Sequence, residues 1–484
     1  MKKENSLKLN MLLNTIKNVM GILFPFLTFP YASKILGIEN IGKYNFSNSV
    51  ISYFLLIAEL GISTYAIREG AKLRGRKTEL NCFVSEIFTI NWISTVFSYL
   101  LLVICLLSVS KFESYRDIIL IMSLQIFFKT LGMDYIYSIF EDYFYITART
   151  IIFQMISLIL LFLCVKTSDD IRLYTIVYVF PNICANISNF VFARKYCNVK
   201  ITRKVNIKKH LKPIIILFGM SATVAVYVAS DITILGFLCN DTVVGRYSVS
   251  TKVYSIIKTI LSAILVVSIP RLSAYLGKNE YTKFQSTLED IYKTLLTFML
   301  PAIIVIILLR RQIILLISDE EFIGAESSLL LLAMALFFCM GAWFWGQCVL
   351  VLLRQEQVVF KITVISAVIN IVLNFILIPA WQENAAALTT AVSEGFSYVC
   401  CMKYGRRYVK PLNLSSCILR VMAGCIPIAV ICIGTDMLIE GDIVRLFVCI
   451  IASIIAYLIV ELILKNEVIY HIAEDKVKLL RHRI

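Results

Sequence analysis

Charge is scarce in this chain. Asp, Glu, Lys and Arg make up 16% of its 484 residues while 59% are hydrophobic, and the mean hydropathy is +0.81. A soluble globular domain carries about a quarter charged residues, so the composition excludes one and places the chain in a bilayer. Histidine is rarer still: His210, His471 and His482 lie far apart without metal-ligand spacing, and no metal site is expected. No G-x-x-x-x-G-K-[ST] loop occurs, which excludes nucleotide hydrolysis by that machinery. The 14 cysteines form no C-x-x-C pair and lie mostly inside apolar segments, as Cys105, Cys164, Cys339 and Cys432 do, so they read as buried free thiols. Without a soluble catalytic pattern, neither an enzyme nor a cofactor is expected. The net charge of +15 comes from basic residues scattered over many short segments, which argues against a nucleic-acid face.

What the chain has in abundance is long apolar runs. About fourteen stretches are long enough to cross the hydrocarbon as helices, the first near residues 11–31, the second 44–66, the fourth 118–139, the ninth 291–317 and the last 443–464. Met1-Lys2-Lys3 resembles the start of a signal peptide, but the apolar run after it is long and lacks a small-residue cleavage pattern, so a retained first helix is expected. With the N-terminus inside, roughly thirty basic residues fall in inner loops against about nine outside, the asymmetry that fixes topology. Both termini are then cytoplasmic. The longest inner loop, from Arg194 to Lys212, carries Lys195, Lys200, Arg203, Lys208 and Lys209. It reads as a hinge or linker between two halves.

A stretch that occurs twice supports two halves. Ile35-Leu36-Gly37, then Gly42-Lys43-Tyr44, then an apolar segment ending at Arg68, is echoed by Ile234-Leu235-Gly236, Gly245-Arg246-Tyr247 and Arg271. In each copy 26 residues separate the glycine of the Gly-basic-Tyr triplet from the arginine, and the copies are 203 residues apart. The triplets read as turns. The expected architecture is all-α and polytopic: a six-helix lobe over residues 1–193, a basic cytoplasmic linker over 194–213, a second six-helix lobe over 214–410, and two extra helices with a basic tail over 411–484. An even number of helices per lobe gives parallel repeats about an axis along the membrane normal.

The repeat also predicts polar stripes. Asn45, Ser49, Ser52, Leu56, Glu59 and Ser63 share one helical face, and the shift of 203 finds Ser248, Lys252, Ser255, Thr259, Ser262 and Val266. Two such faces would line a central aqueous cavity. The first helix offers Asn14, Lys17 and Asn18, with Pro25 and Pro30 permitting a bend. Pro181 in the sixth helix precedes Asn182, Asn186 and Asn189, which suit helix packing better than a substrate site. Ionisable side chains inside a bilayer need a reason. Lys129, Lys258, Asp231 and Glu394 qualify, whereas Asp134, Arg149, Arg420 and Glu461 lie near helix ends and read as solvated head groups.

With these residues in hand the chain resembles a known family. Pro30-Tyr31 before Ile35-Leu36-Gly37, the two Gly-basic-Tyr triplets, Arg68-Glu69, Asp231-Ile232 and Pro270-Arg271 resemble the polysaccharide-transporter (Wzx-type flippase) branch of the multidrug/oligosaccharidyl-lipid/polysaccharide exporter superfamily. The resemblance implies two six-helix lobes in the bacterial cytoplasmic (inner) membrane that flip an undecaprenyl-pyrophosphate-linked oligosaccharide by alternating access. Its partners would be that lipid-linked oligosaccharide, membrane lipids, and polymerase or assembly proteins of cell-surface polysaccharide synthesis. Lys17, Lys129, Lys252 and Lys258 would meet the pyrophosphate, and Asn14, Asn18, Ser52 and Ser255 the sugars. Glu59, Asp231 and Glu394 are the expected proton carriers, because burial raises carboxylate pKa values. The alternatives are a multidrug or cation antiporter of the same superfamily and a membrane glycan polymerase or glycosyltransferase. Short outer loops disfavour the polymerase and the glycosyltransferase.

Overall fold

A computed structural model describes residues 7–203, 205–439, 441–470 and 474, with the backbone alone for residues 7–19, 22 and 437. Every long element in it is a helix. Twelve helical segments are long and apolar enough to cross a membrane. Two of them run through a bend. Gly37 (φ 75°, ψ 172°) divides Leu7–Glu59 into α1 (7–36) and α2 (38–59), and Gln382 (φ 50°, ψ −128°) divides Glu356–Gly405 into α11 (356–381) and α12 (383–405). Among the described residues the long helices therefore number fourteen. Between these come α3 (Lys77–Ser108), α4 (Arg116–Gly132), α5 (Tyr143–Cys164), α6 (Ile171–Ala193), α7 (Ile207–Leu238), α8 (Asp241–Gly277), α9 (Tyr281–Leu308) and α10 (Glu326–Trp343); α13 (Ser415–Leu438) and α14 (Asp442–Ile463) close the chain.

The chain forms two compact units, Met1–Gly245 and Arg246–Ile484. In the first, Ile87, Ile136, Ile214 and Cys197 belong to one buried cluster, which brings α7 against α3. In the second, Leu309 packs with Val421, Cys425 and Ile428 of α13 and Leu446 of α14.

The Gly-basic-Tyr triplets are not turns. Both lie inside helices, α2 and α8, and the chain reverses earlier, at Gly37 and around Cys239 and Asn240. Their glycines are there for contact. A Cβ on Gly42 would fall 1.9 Å from the carbonyl oxygen of Asp241, and one on Gly245 would fall 2.3 Å from that of Ile38. Ile38 and Asp241 are themselves 203 residues apart, so each repeat's glycine meets the other repeat's equivalent carbonyl. Backbone contact so close leaves room for no side chain.

Helix ends and prolines leave carbonyls without their usual donors, and in apolar surroundings each must find another. Left-handed Leu60 and Gly61 end α2, and the freed carbonyl of Ala58 accepts from Asn91 Nδ2 at 2.7 Å and Ser94 Oγ at 2.6 Å. Pro181 cannot donate to Val177, whose carbonyl accepts instead from Ser157 Oγ at 2.7 Å. Pro301 leaves Thr297 in the same position, and Tyr457 Oη donates to it at 2.7 Å. The break after α2 also starts a short amphipathic helix, Ile62–Lys72, so Ser63 does not continue the stripe that ends at Glu59.

The segment expected as a linker is a strap. Backbone N–H groups of Asn198, Lys200 and Thr202 donate to Asn81 Oδ1, Ser85 Oγ and Thr89 Oγ1 at 3.0, 3.2 and 3.1 Å. Two residues of extended chain advance about 6.6 Å and four of helix about 6 Å, so alternate amides match one face of α3. Beyond the strap, His210 is fully buried, with Glu86 Oε2 at 2.6 Å from Nε2 and Tyr65 Oη at 2.8 Å from Nδ1. An Nε2–H donating to the carboxylate leaves Nδ1 to accept from the phenol, which ties α7 to α3 and to the short helix.

Candidate functional site

The first unit encloses a cavity of about 360 Å³ between α2, α4, α5 and α6. Its position follows from a break in α4. Met133, left-handed at φ 42°, ends the helix, and Asp134 begins a short one over Asp134–Ile139. A non-glycine residue held there costs on the order of 1–3 kcal/mol, strain that concentrates at functional sites. Gly132 beside it has no room for a Cβ, which would fall 2.0 Å from Asn186 Oδ1. The break thus seats Asp134 next to α6 and inside the bundle.

Four charges of alternating sign meet there. Asp134 Oδ1 accepts from Arg149 Nη2 at 2.8 Å and also from Asn189 Nδ2, while Oδ2 accepts from Lys129 Nζ at 3.1 Å. Lys129 Nζ lies 3.6 Å from Glu59 Oε1. Each charge comes from a different helix and the set is neutral. Arg149 is 8% exposed, with its Nε and Nη1 buried and without an acceptor among the described residues. Carboxamides complete the lining: Asn182 Nδ2 donates to Gln125 Oε1 at 3.2 Å, and Gln154 and Asn186 stand beside them. Such a cavity can hydrogen-bond hydroxyls through the amides and hold an anion on its two cations.

This arrangement corrects the reading of Asp134 and Arg149 as solvated head groups. Arg149 is buried, and so is Glu461 of α14, at 0% exposure. Position along a span misled because the breaks at Leu60 and Met133 carry polar side chains inward. A spacing signal existed, since Asp134 and Arg149 are two opposite charges in consecutive helices joined by a short turn.

Of the residues singled out from sequence, Lys129 and Glu59 are brought together in the cavity. Lys258 of α8 lies 5.6 Å from the ring centroid of Tyr254 and within electrostatic reach of Cys339 and Glu394, the last 7% exposed. Lys252 is half-buried on the same helix, and Ser255, exposed, donates to its carbonyl at 2.9 Å. Ser52 is half-buried and donates to the carbonyl of Ser49 at 2.6 Å. Asp231 is 8% exposed, near Tyr53. The side chains of Asn14, Lys17 and Asn18 lie outside the described residues, as do His471 and His482. Among the cysteines, Cys82 and Cys164 are exposed, contrary to the reading of the set as buried.

With this geometry in place, comparison with known proteins is decisive for the family. The family described as "Polysaccharide biosynthesis protein" matches residues 7–276, more than half of the chain. The chain belongs to that family. A second family, MatE, matches residues 216–376. The "Putative O-antigen transporter" of Escherichia coli (strain K12) is 24% identical over 281 residues, covering 57% of this chain and 66% of that protein, just under two thirds of its length. The protein of the same name from Shigella dysenteriae is also 24% identical over 281 residues, 58% of this chain and 70% of the relative. Among solved structures, lipid II flippase MurJ in an inward closed conformation superposes with a TM-score of 0.73 at 17% identity, over 95% of this chain and 99% of that one. An inward-facing multidrug resistance MATE family transporter of the MOP superfamily gives 0.60 at 12% identity, over 84% and 99%. At such identities the likeness shows the fold. This polysaccharide biosynthesis family member is therefore an all-α multi-pass membrane protein with a MurJ- and MATE-like fold.

Proposed function

We propose that the protein is a flippase that moves an undecaprenyl-pyrophosphate-linked oligosaccharide from the cytoplasmic to the outer leaflet of a bacterial inner membrane by alternating access. The observation that carries this reading is the cavity of the first unit, where two cations and a set of carboxamides sit inside the bundle of a polysaccharide biosynthesis family member. A pyrophosphate would compete with Asp134 for Lys129 and Arg149. It carries more charge than one carboxylate, and Coulomb attraction is strong where water is scarce. Arg149 suits this exchange best, because a planar guanidinium with two uncommitted nitrogens, Nε and Nη1, can grip a phosphate bidentately. The amides would then meet sugar hydroxyls. Lys252, Lys258, Ser52, Ser255 and the first-helix residues Asn14, Lys17 and Asn18 are further contacts along the path. Basic loops retained on the cytoplasmic side give the orientation.

An antiporter of drugs or cations is the second reading. The MatE match and the two cavity carboxylates, Glu59 and Asp134, favour it. In either reading Glu59, Asp231 and Glu394 are candidate proton carriers. Deleting the protein and following lipid-linked oligosaccharide in the native membrane separates the two. Accumulation facing the cytoplasm supports the flippase; unchanged oligosaccharide with drug sensitivity supports the antiporter.

A further inference from the structure

The second unit holds a pocket of about 280 Å³ that the transport reading does not use. It lies where α9 ends, between the short helix Arg310–Ile317, the start of α10, the end of α13 and the start of α14. By helix order these ends face the outer side of the membrane in the orientation proposed above. Arg310 and Arg311 interrupt the apolar run that continues from α9, and arginines on the outer side serve no topological purpose.

Both signs of charge converge in this pocket. Arg310 Nε pairs with Glu326 at 3.3 Å, Arg445 Nη1 donates to Asp436, and Asp442 Oδ1 accepts from Gln312 Nε2 at 3.2 Å. Those contacts leave donors and acceptors to spare. The Nε of Arg445, buried with a side chain 13% exposed, has no acceptor among the described residues. Arg311 is exposed and forms no ion pair among them. Among the described residues Asp442 meets only a neutral amide, and Asp436 is 62% exposed.

We propose that this pocket binds the headgroup of a zwitterionic aminophospholipid, its phosphate on Arg311 and Arg445 and its primary ammonium on Asp442 and Asp436. An arginine pair alone would equally suit an anionic lipid; the two carboxylates, one of them met by a neutral amide and the other largely exposed, make the ammonium the distinguishing half. The volume fits a headgroup, being just below the range of about 300–1,000 Å³ usual for larger ligands.

Native mass spectrometry of the full-length protein with defined mixtures of phosphatidylethanolamine, phosphatidylcholine and phosphatidylglycerol tests this. Wild-type protein should retain phosphatidylethanolamine about tenfold over both others, the worth of one charge-assisted hydrogen bond. Asp442→Asn, which keeps an acceptor for Gln312, should bring that preference close to one, and the exposed Arg311→Ala should weaken all three lipids alike. Preference for phosphatidylglycerol, equal binding of phosphatidylcholine, or unchanged selectivity in Asp442→Asn would overturn the proposal. Circular dichroism of both variants separates lost binding from lost fold.

Discussion

Asp134 is the residue whose removal should cost the first unit most. It accepts from Arg149, Lys129 and Asn189 at once, so Asp134→Ala strips a buried guanidinium of its only acceptor among the described residues and leaves Lys129 with Glu59 alone. Breaking a buried ion pair from one side costs about 3–5 kcal/mol. The side chains of Asp134 and Lys129 are 34% and 38% exposed, so water in the cavity screens part of that, and we expect about 2–3 kcal/mol. Arg149→Met removes a cation whose Nε and Nη1 are already unmatched, and Asp134 keeps Lys129, so about 1–2 kcal/mol should be lost. The double variant should then be at least about 1 kcal/mol more stable than the sum of the single losses, because neither charge is left behind. Equilibrium unfolding in a mild detergent measures all four corners of the cycle. Losses that add to within about 0.5 kcal/mol would show that the two groups are not coupled, and the alternating-charge description of the cavity would fall.

Other expectations follow from the same contacts. Gly42→Ala and Gly245→Ala each push a Cβ into a backbone carbonyl, so each should destabilise by about 1–3 kcal/mol, and an unfolding midpoint unchanged in both would refute the close backbone contacts. Ser157→Ala strands the carbonyl of Val177 and should cost about 1 kcal/mol in the native sequence but little in Pro181→Ala, where the new N–H takes over; equal losses in both backgrounds would refute the substitution of one donor for another. Burial pushes the Cys197 thiol up to about 11, against a smaller opposing pull from Lys77. The thiolate is the nucleophile, so maleimide labelling of Cys197 should be slow at neutral pH and rise about tenfold per pH unit until that value, whereas fast labelling at pH 7 would mean the strap is undocked. If Glu59 and Glu394 carry protons, Glu59→Gln and Glu394→Gln should abolish the dependence of transport on a proton gradient; dependence retained in both removes that role.

Much of the fold was legible in the sequence, because apolar length and the bias of basic loops report directly on spans. The repeat was legible too, although its glycines were misread as turns: a glycine that lets two backbones touch looks the same in sequence as one that lets a chain reverse. The breaks at Gly37 and Gln382 were legible as interruptions of apolar runs, the first between residues 31 and 44 and the second at the polar Gln382-Glu383-Asn384. In the cavity, Lys129 and Glu59 stood out as charges within spans. Arg149 did not, because its burial depends on the break at Met133, a methionine in a conformation that no local pattern announces. The strap was hidden because its amides bond to side chains of a distant helix, a contact that carries no periodicity of its own.

The central claim is translocation of a lipid-linked oligosaccharide, and the side of the membrane on which that molecule resides tests it most directly. In cells depleted of this protein, lipid-linked oligosaccharide should accumulate and remain inaccessible to a glycosidase added outside spheroplasts, with re-expression restoring access and Arg149→Gln failing to do so. Oligosaccharide that stays accessible from outside after depletion would contradict the account.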